Sequence, residues 1–172
     1  KTGLSLLRGA PFIFSDETCV IQRAIYFAQH FSFKSCEVIT GFPAGTPEPL
    51  YSFLLAPIYY FFYGVKAFHL TLILNVFIVS TLVFPLYHIL KRFINGEGKI
   101  LASIAFLLLL PHISVFEQTV MTETLFTVLN IWCLHFYIKS FDESEKRPFH
   151  NKITAIFFSI LALFARPFGF IV

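Results

Sequence analysis

The chain has 172 residues, 56% of them hydrophobic and 13% charged, and a mean hydropathy of +0.74. Soluble domains carry about 25% charged residues, so a water-soluble globular domain is a poor description of this composition. The net charge of +3 is small and its cations are scattered, which argues against the clustered basic face of a nucleic-acid-binding protein.

The first 66 residues are polar enough to be a domain of their own. Ser15-Asp16-Glu17 precedes Thr18–Phe31, where Val20, Ala24, Phe27 and Phe31 recur at helical spacing beside Ile21, Tyr26 and Ala28. Ser15 or Asp16 is a natural N-cap for that helix. A Gly/Pro-rich connector, Gly41–Pro47, comes next. Pro49-Leu50-Tyr51 then starts a second apolar helix that Gly64 should stop and that Pro57 should bend or shorten. Tyr59, Tyr60 and Tyr63 suit a helix lying in a membrane interface.

Four long apolar runs follow. Ala67–Leu90 and Ile100–Phe116 contain no Asp, Glu, Lys or Arg; Gln118–Ile138 has one acid, Glu123, and the run from Ile153 to Val172 has one cation, Arg166. About 18 apolar residues suffice to cross a hydrocarbon core of roughly 30 Å as a helix. The expectation is an all-α, polytopic integral membrane protein with spans at about 67–90, 100–116, 118–138 and 153–172. The chain starts at Lys1 and stops inside an apolar run, as an internal or truncated piece of a larger protein would, with a spanning helix before Lys1. No signal peptide, internal repeat, phosphate-binding glycine loop or zinc-ligand spacing is present in the sequence.

Lysine and arginine orient the spans. Lys91, Arg92 and Lys99 follow the first, and Lys139, Lys146, Arg147 and Lys152 follow the third, whereas the link near Pro111–Glu117 has none. Basic short loops stay cytoplasmic, so residues 1–66 and the end of the chain near Arg166 belong to the outer, periplasmic or lumenal, face.

Four outer-face segments in order carry a resemblance. Ser15-Asp16-Glu17 with its helix, then Pro49-Leu50-Tyr51 with its helix, then Met121-Thr122-Glu123-Thr124-Leu125-Phe126 after Pro111, then Arg166-Pro167-Phe168-Gly169, together resemble membrane glycosyltransferases of the GT-C class. The nearest group is the dolichyl-phosphate-mannose protein mannosyltransferases and aminoarabinose transferases. The likeness runs from about Phe14 to the C-terminus. The chain departs from that group at Pro47-Glu48-Pro49, where relatives often have adjacent prolines, and at Val20, where they usually have an aromatic residue.

The resemblance implies inverting transfer of a sugar from a polyprenyl-phosphate donor, in a bacterial or archaeal cell membrane, with the given piece inactive alone. An attacking hydroxyl must lose a proton, so a carboxylate within reach is needed. Asp16 is the candidate base, against a plain role as N-cap. Glu17 is a candidate ligand for a divalent cation such as Mg²⁺ or Mn²⁺, against a first-turn acid favoured by the helix dipole. Arg166, Glu123 and His112 are candidates for the donor phosphate or its pocket; Arg166 could equally pair with Glu123 or Glu117, or reach toward headgroups. Glu48 and Tyr51 are candidate substrate-loop residues, and Lys66 reads as an interface anchor.

The six His show no metal-ligand spacing. Cys19 and Cys36 share the outer segment, where a disulfide is permitted, and Cys133 reads as a core residue. The expected partners are the bilayer and a lipid-linked sugar, with no nucleic acid. Two other functions compete: a secondary transporter or permease, which would need polar residues or broken helices near the midplane, and a non-enzymatic membrane assembly protein, which would tolerate loss of Asp16.

Overall fold

The computed structural model describes residues 15–32, 49–109, 122–142 and 148–166, with the backbone alone at Ser15 and Asp16. Among these residues are seven helices and no strand: α1 (Ser15–His30), α2 (Pro49–Phe61), α3 (Gly64–Ser80), α4 (Val83–Leu90), α5 (Glu97–Leu109), α6 (Thr122–Lys139) and α7 (Pro148–Ala165). The fold is all-α over the described residues, as the periodicity predicts. The 27-residue stretch Gly64–Leu90 and the 18-residue α7 are long and apolar enough to cross a membrane. In α6 Glu123, Asn130, His135 and Lys139 dilute the apolar content, and α5 is described over only 13 residues.

The α1 stripe is where the spacing places it. Val20, Ala24 and Ala28 are buried, and the helix starts at Ser15, three residues before the expected Thr18. The stripe also carries Glu17 and Arg23, both buried. Beyond His30 the chain turns at Phe31, whose φ of 51° is rare for a side chain without a stabilising local hydrogen bond; here the Phe31 N–H donates to the Phe27 carbonyl at 2.8 Å.

Helix α2 continues through Pro57 and ends at Phe61, short of the expected Gly64. Pro57 lies on the exposed side, where losing one backbone bond does least harm. Gly64 takes a φ of 58° and reverses the chain into α3, a conformation that costs glycine little. A further break was expected nowhere within Ala67–Leu90, yet a turn at Thr81-Leu82 separates α3 from α4. Pro85 explains it: without an N–H it cannot close a helical bond to the Thr81 carbonyl. The Trp132 indole donates to Thr81 Oγ1 at 3.2 Å and ties α6 to this break.

Small residues set how closely the helices approach. On α7 the buried positions are Asn151, Ala155, Ala162 and Ala165, one stripe against α6, while Phe149, Ile153, Ile156, Phe157, Ile160 and Phe164 point outward. Close approach through alanine is how helices associate where lipid removes the hydrophobic drive. Only 22% of the α7 window is buried, the reverse of a core helix in a water-soluble protein. One apolar cluster joins Val20 and Ala24 of α1, Tyr51, Leu55 and Tyr59 of α2, Ala67, Phe68 and Leu72 of α3, Leu125 and Leu129 of α6, and Ala162 and Ala165 of α7.

That cluster defines one end of the molecule. It gathers the start of α3 and α6 and the finish of α7 around α1 and α2. The finish of α4 and of α6 lies at the other end, where Arg92 and Asp142 pair at 2.8 Å. The charges thus sort as the loop asymmetry predicts: the residues assigned outward share one end, and Lys91, Arg92 and Lys139 the other.

Candidate functional site

Glu123 stands in the first turn of α6, and Arg166 is the first residue past α7. Because the two helices run antiparallel, the positive end of one dipole and the negative end of the other lie side by side. An acid suits the first and a cation the second. The geometry completes this arrangement: Arg166 Nη1 lies 3.0 Å from Glu123 Oε1. The side chains keep 39% and 26% of their exposure, so the pair is open to a third group. Two residues 43 positions apart, each singled out in the sequence, are therefore in contact. Of the alternatives for Arg166, pairing with Glu123 is realised; Glu117 lies outside the described residues.

Beside this pair, α1 and α2 pack against each other through Val20, Ala24, Tyr51 and Leu55. Ser52 Oγ donates to the Val20 carbonyl at 3.3 Å and sets their register. On their outer flank Phe27, Phe31, Phe53, Pro57, Tyr60 and Phe61 line an apolar groove of about 480 Å³. Phe27 and Phe53 meet edge to face across it, with centroids 5.4 Å apart. That volume is within the roughly 300–1,000 Å³ of small-molecule sites.

Glu17 is fully buried, facing the core rather than water. Its charge opposes ionisation of Tyr51 and Tyr59, which places it near both phenols. Burial is the main cause pushing both phenols above the ordinary tyrosine range; for Tyr51 a hydrogen bond to Asn75 works against it, and for Tyr59 contact with Thr71 does so. The first-turn exposure that the helix-dipole reading of Glu17 assumes is not what the fold provides. Among the described residues no three His, Cys, Asp or Glu side chains converge as metal ligands. The described surroundings of Glu17, apolar and phenolic, supply no second carboxylate, so no step below is routed through a cation.

Tyr51 is buried in the core, and its hydroxyl donates to Asn75 Oδ1 on α3. Thr71, one turn earlier, donates to the Ala67 carbonyl at 3.0 Å. Cys19 is disulfide-bonded and Cys133 is a free thiol whose Sγ lies 3.3 Å from the Ala155 carbonyl. Lys66 is exposed at the start of α3, where an interface anchor belongs. The Asp16 side chain, Cys36, Glu48 and His112 lie outside the described residues; the Asp16 backbone is in the first turn of α1.

Two buried polar residues were missed in the sequence. Arg23 falls on the α1 stripe three residues after Val20, and Asn75 is a lone amide inside an otherwise apolar run. A polar residue on an apolar face was the available signal in both cases. No family model, characterised protein or solved structure matches the chain, so the residues themselves carry the functional reading.

Proposed function

We propose that this chain is the outer loop and leading multi-pass membrane part of a GT-C-class glycosyltransferase. It moves a sugar, with inversion, from a polyprenyl-phosphate donor to an acceptor on the outer face. The observation that carries this reading is the Glu123–Arg166 pair, half-open to solvent beside the α1–α2 layer. The acid-Thr-Leu-Phe and Arg-Pro-x-Gly segments resemble the same enzyme class independently, and they meet in space.

The chemistry follows from the charges. The acceptor hydroxyl attacks the anomeric carbon as the bond from that carbon to the phosphate oxygen breaks. The hydroxyl proton passes to the Asp16 carboxylate, and the electron pair leaves on the lipid phosphate. Arg166 stabilises that growing negative charge, and Glu123 holds the guanidinium in place until phosphate competes for it. The apolar groove on α1 and α2 receives the first isoprene units of the donor.

The membrane reading rests on Gly64–Leu90 and α7 as spans, with α5 and α6 as the other two. The large apolar side chains facing outward on α3, α5 and α7 would form an aggregation-prone surface in water but suit lipid. A disulfide at Cys19 fits a non-cytosolic, oxidising compartment. The transporter alternative gains nothing from Asn75, the polar residue inside the first span, because that side chain is engaged by Tyr51.

The test is Asp16→Asn in the native protein in its own membrane. Sugar transfer from the lipid donor should disappear while expression and insertion stay normal. Full transfer by that variant would remove Asp16 as the base and with it this mechanism.

A further inference from the structure

At the end of the molecule opposite the Glu123–Arg166 pair, the last turns of α4 and α6 leave a cavity of about 250 Å³ between them. His88, Lys91 and Arg92 come from one side and His135, Lys139 and Asp142 from the other. The floor is apolar, formed by Ile89 and Ile138. Arg92 Nη2 lies 2.8 Å from Asp142 Oδ2, Lys91 Nζ sits 5.8 Å from the centre of the Tyr87 ring, and the two imidazole centroids are 5.3 Å apart.

Cations at helix C-termini have an ordinary role, since each terminus carries about half a negative charge. Here two termini meet, so about one charge is absorbed that way. Three cations against the single carboxylate of Asp142 leave two, and one remains beyond what the termini take up, with two imidazoles beside it. The cavity is smaller than the roughly 300 Å³ at which whole small-molecule pockets begin, so it fits a headgroup rather than a complete ligand. Its floor faces the span Gly64–Leu90 and its cations face away, which is the polarity of a lipid's own head and tails.

We propose that this cavity binds a phosphate carried on an anionic lipid headgroup, with Arg92 and Lys91 as the principal contacts and Lys139 as the third. The guanidinium offers paired N–H donors to phosphate oxygens, exchanging its half-exposed bond to Asp142 for them. The site is independent of sugar transfer and needs only that this end of the bundle sits at headgroup depth.

Trp132, the single tryptophan of the sequence, reports on it, because its ring centroid is 5.9 Å from that of His135. The protein is placed in phosphatidylcholine vesicles containing brominated phosphatidylglycerol or, separately, brominated phosphatidylcholine, and Trp132 quenching is compared. Phosphatidylglycerol should quench at lower mole fraction, and Lys91→Gln and Arg92→Gln should each cut that preference about fivefold. Lys91→Gln with Lys139→Gln keeps the Arg92–Asp142 pair, so the loss should persist where folding is undisturbed. Lys152→Gln, an exposed cation outside the cavity, should change nothing. A second arm compares thermal midpoints in inorganic phosphate and in chloride at equal ionic strength. A rise in phosphate that Arg92→Gln removes, without any lipid preference, would identify the same site as one for soluble phosphate. Equal quenching by both lipids with no phosphate effect would overturn the proposal, as would a preference that survives both double and single variants.

Discussion

Arg166 Nη1 and Glu123 Oε1 lie 3.0 Å apart, joining the end of α7 to the beginning of α6. A pair this exposed contributes about 0.2–1 kcal/mol to stability, too little to be needed for the fold. Its half-open geometry therefore matters more for what it can hold than for what it stabilises. Arg166→Gln and Glu123→Gln should each lower the thermal midpoint in detergent by only a degree or two, while reducing sugar transfer at least tenfold. The double charge exchange, Glu123→Arg with Arg166→Glu, should recover the midpoint but not the transfer. Recovery of transfer by the exchanged pair would mean that the pair is structural.

Tyr51 and Asn75 form the opposite kind of contact, fully buried and out of reach of solvent. Removing one partner strands the other, which costs about 1–3 kcal/mol; removing both costs less than the sum. Tyr51→Phe should thus destabilise by that amount, and Tyr51→Phe with Asn75→Leu should show a favourable coupling in denaturant titrations. If Tyr51 instead contacts substrate through its hydroxyl, Tyr51→Phe would raise KM with stability unchanged.

The resemblance to a transferase loop singled out Tyr51 because of the Pro-Leu-Tyr it belongs to, and no periodicity told which way the phenol would point. The stripe on α1 was legible at Val20, Ala24 and Ala28, since spacing alone defines an apolar face. Glu17 and Arg23 lie on the same stripe, but a charged residue there reads as an interruption until its neighbours are known. Likewise the break at Thr81-Leu82 was written in Pro85, yet the unbroken hydropathy from Ala67 to Leu90 masked it. The Glu123–Arg166 contact was one of several pairings the sequence allowed; only the antiparallel packing of α6 on α7 selects it. Burial and long-range partners depend on how helices assemble, which local patterns do not encode.

The two buried phenols give a pH dependence with a definite sign. Burial raises the Tyr51 and Tyr59 pKa above 10.0, the value in the unfolded chain. The unfolded state therefore releases these protons first, and unfolding becomes easier as pH climbs past about 10. Stability from this source should be intact below that pH and fall above it. Following helix content by circular dichroism from pH 8 to pH 12 should show the loss, and Tyr51→Phe with Tyr59→Phe should make the curve flatter. A decline that is unchanged in the double variant would assign the alkaline sensitivity to other groups.

Topology can be read by labelling single cysteines in intact cells with a membrane-impermeant thiol reagent. Tyr63, exposed between α2 and α3, and the Gly41–Pro47 connector should label from outside. The opposite end is best probed at Gly98, where an added Cβ meets open space, rather than at Gly96, whose φ of 103° would strain any other residue. Gly98→Cys should label only after permeabilisation. The reverse pattern would put Asp16 in the cytosol and remove the transferase reading, while leaving the helix packing untouched.

The two faces of α7 predict opposite responses to size. Ala162 is buried against the shared cluster, so Ala162→Leu must push α6 and α7 apart, at a cost of about 1–3 kcal/mol. It should also widen the Glu123–Arg166 separation one turn away and so depress transfer. Ile160 points outward; Ile160→Ala removes bulk that meets no helix among the described residues and should shift stability by less than about 0.5 kcal/mol. Thermal unfolding in lipid nanodiscs distinguishes the two. If Ile160→Ala were the more damaging change, that face would be packed against protein rather than lipid.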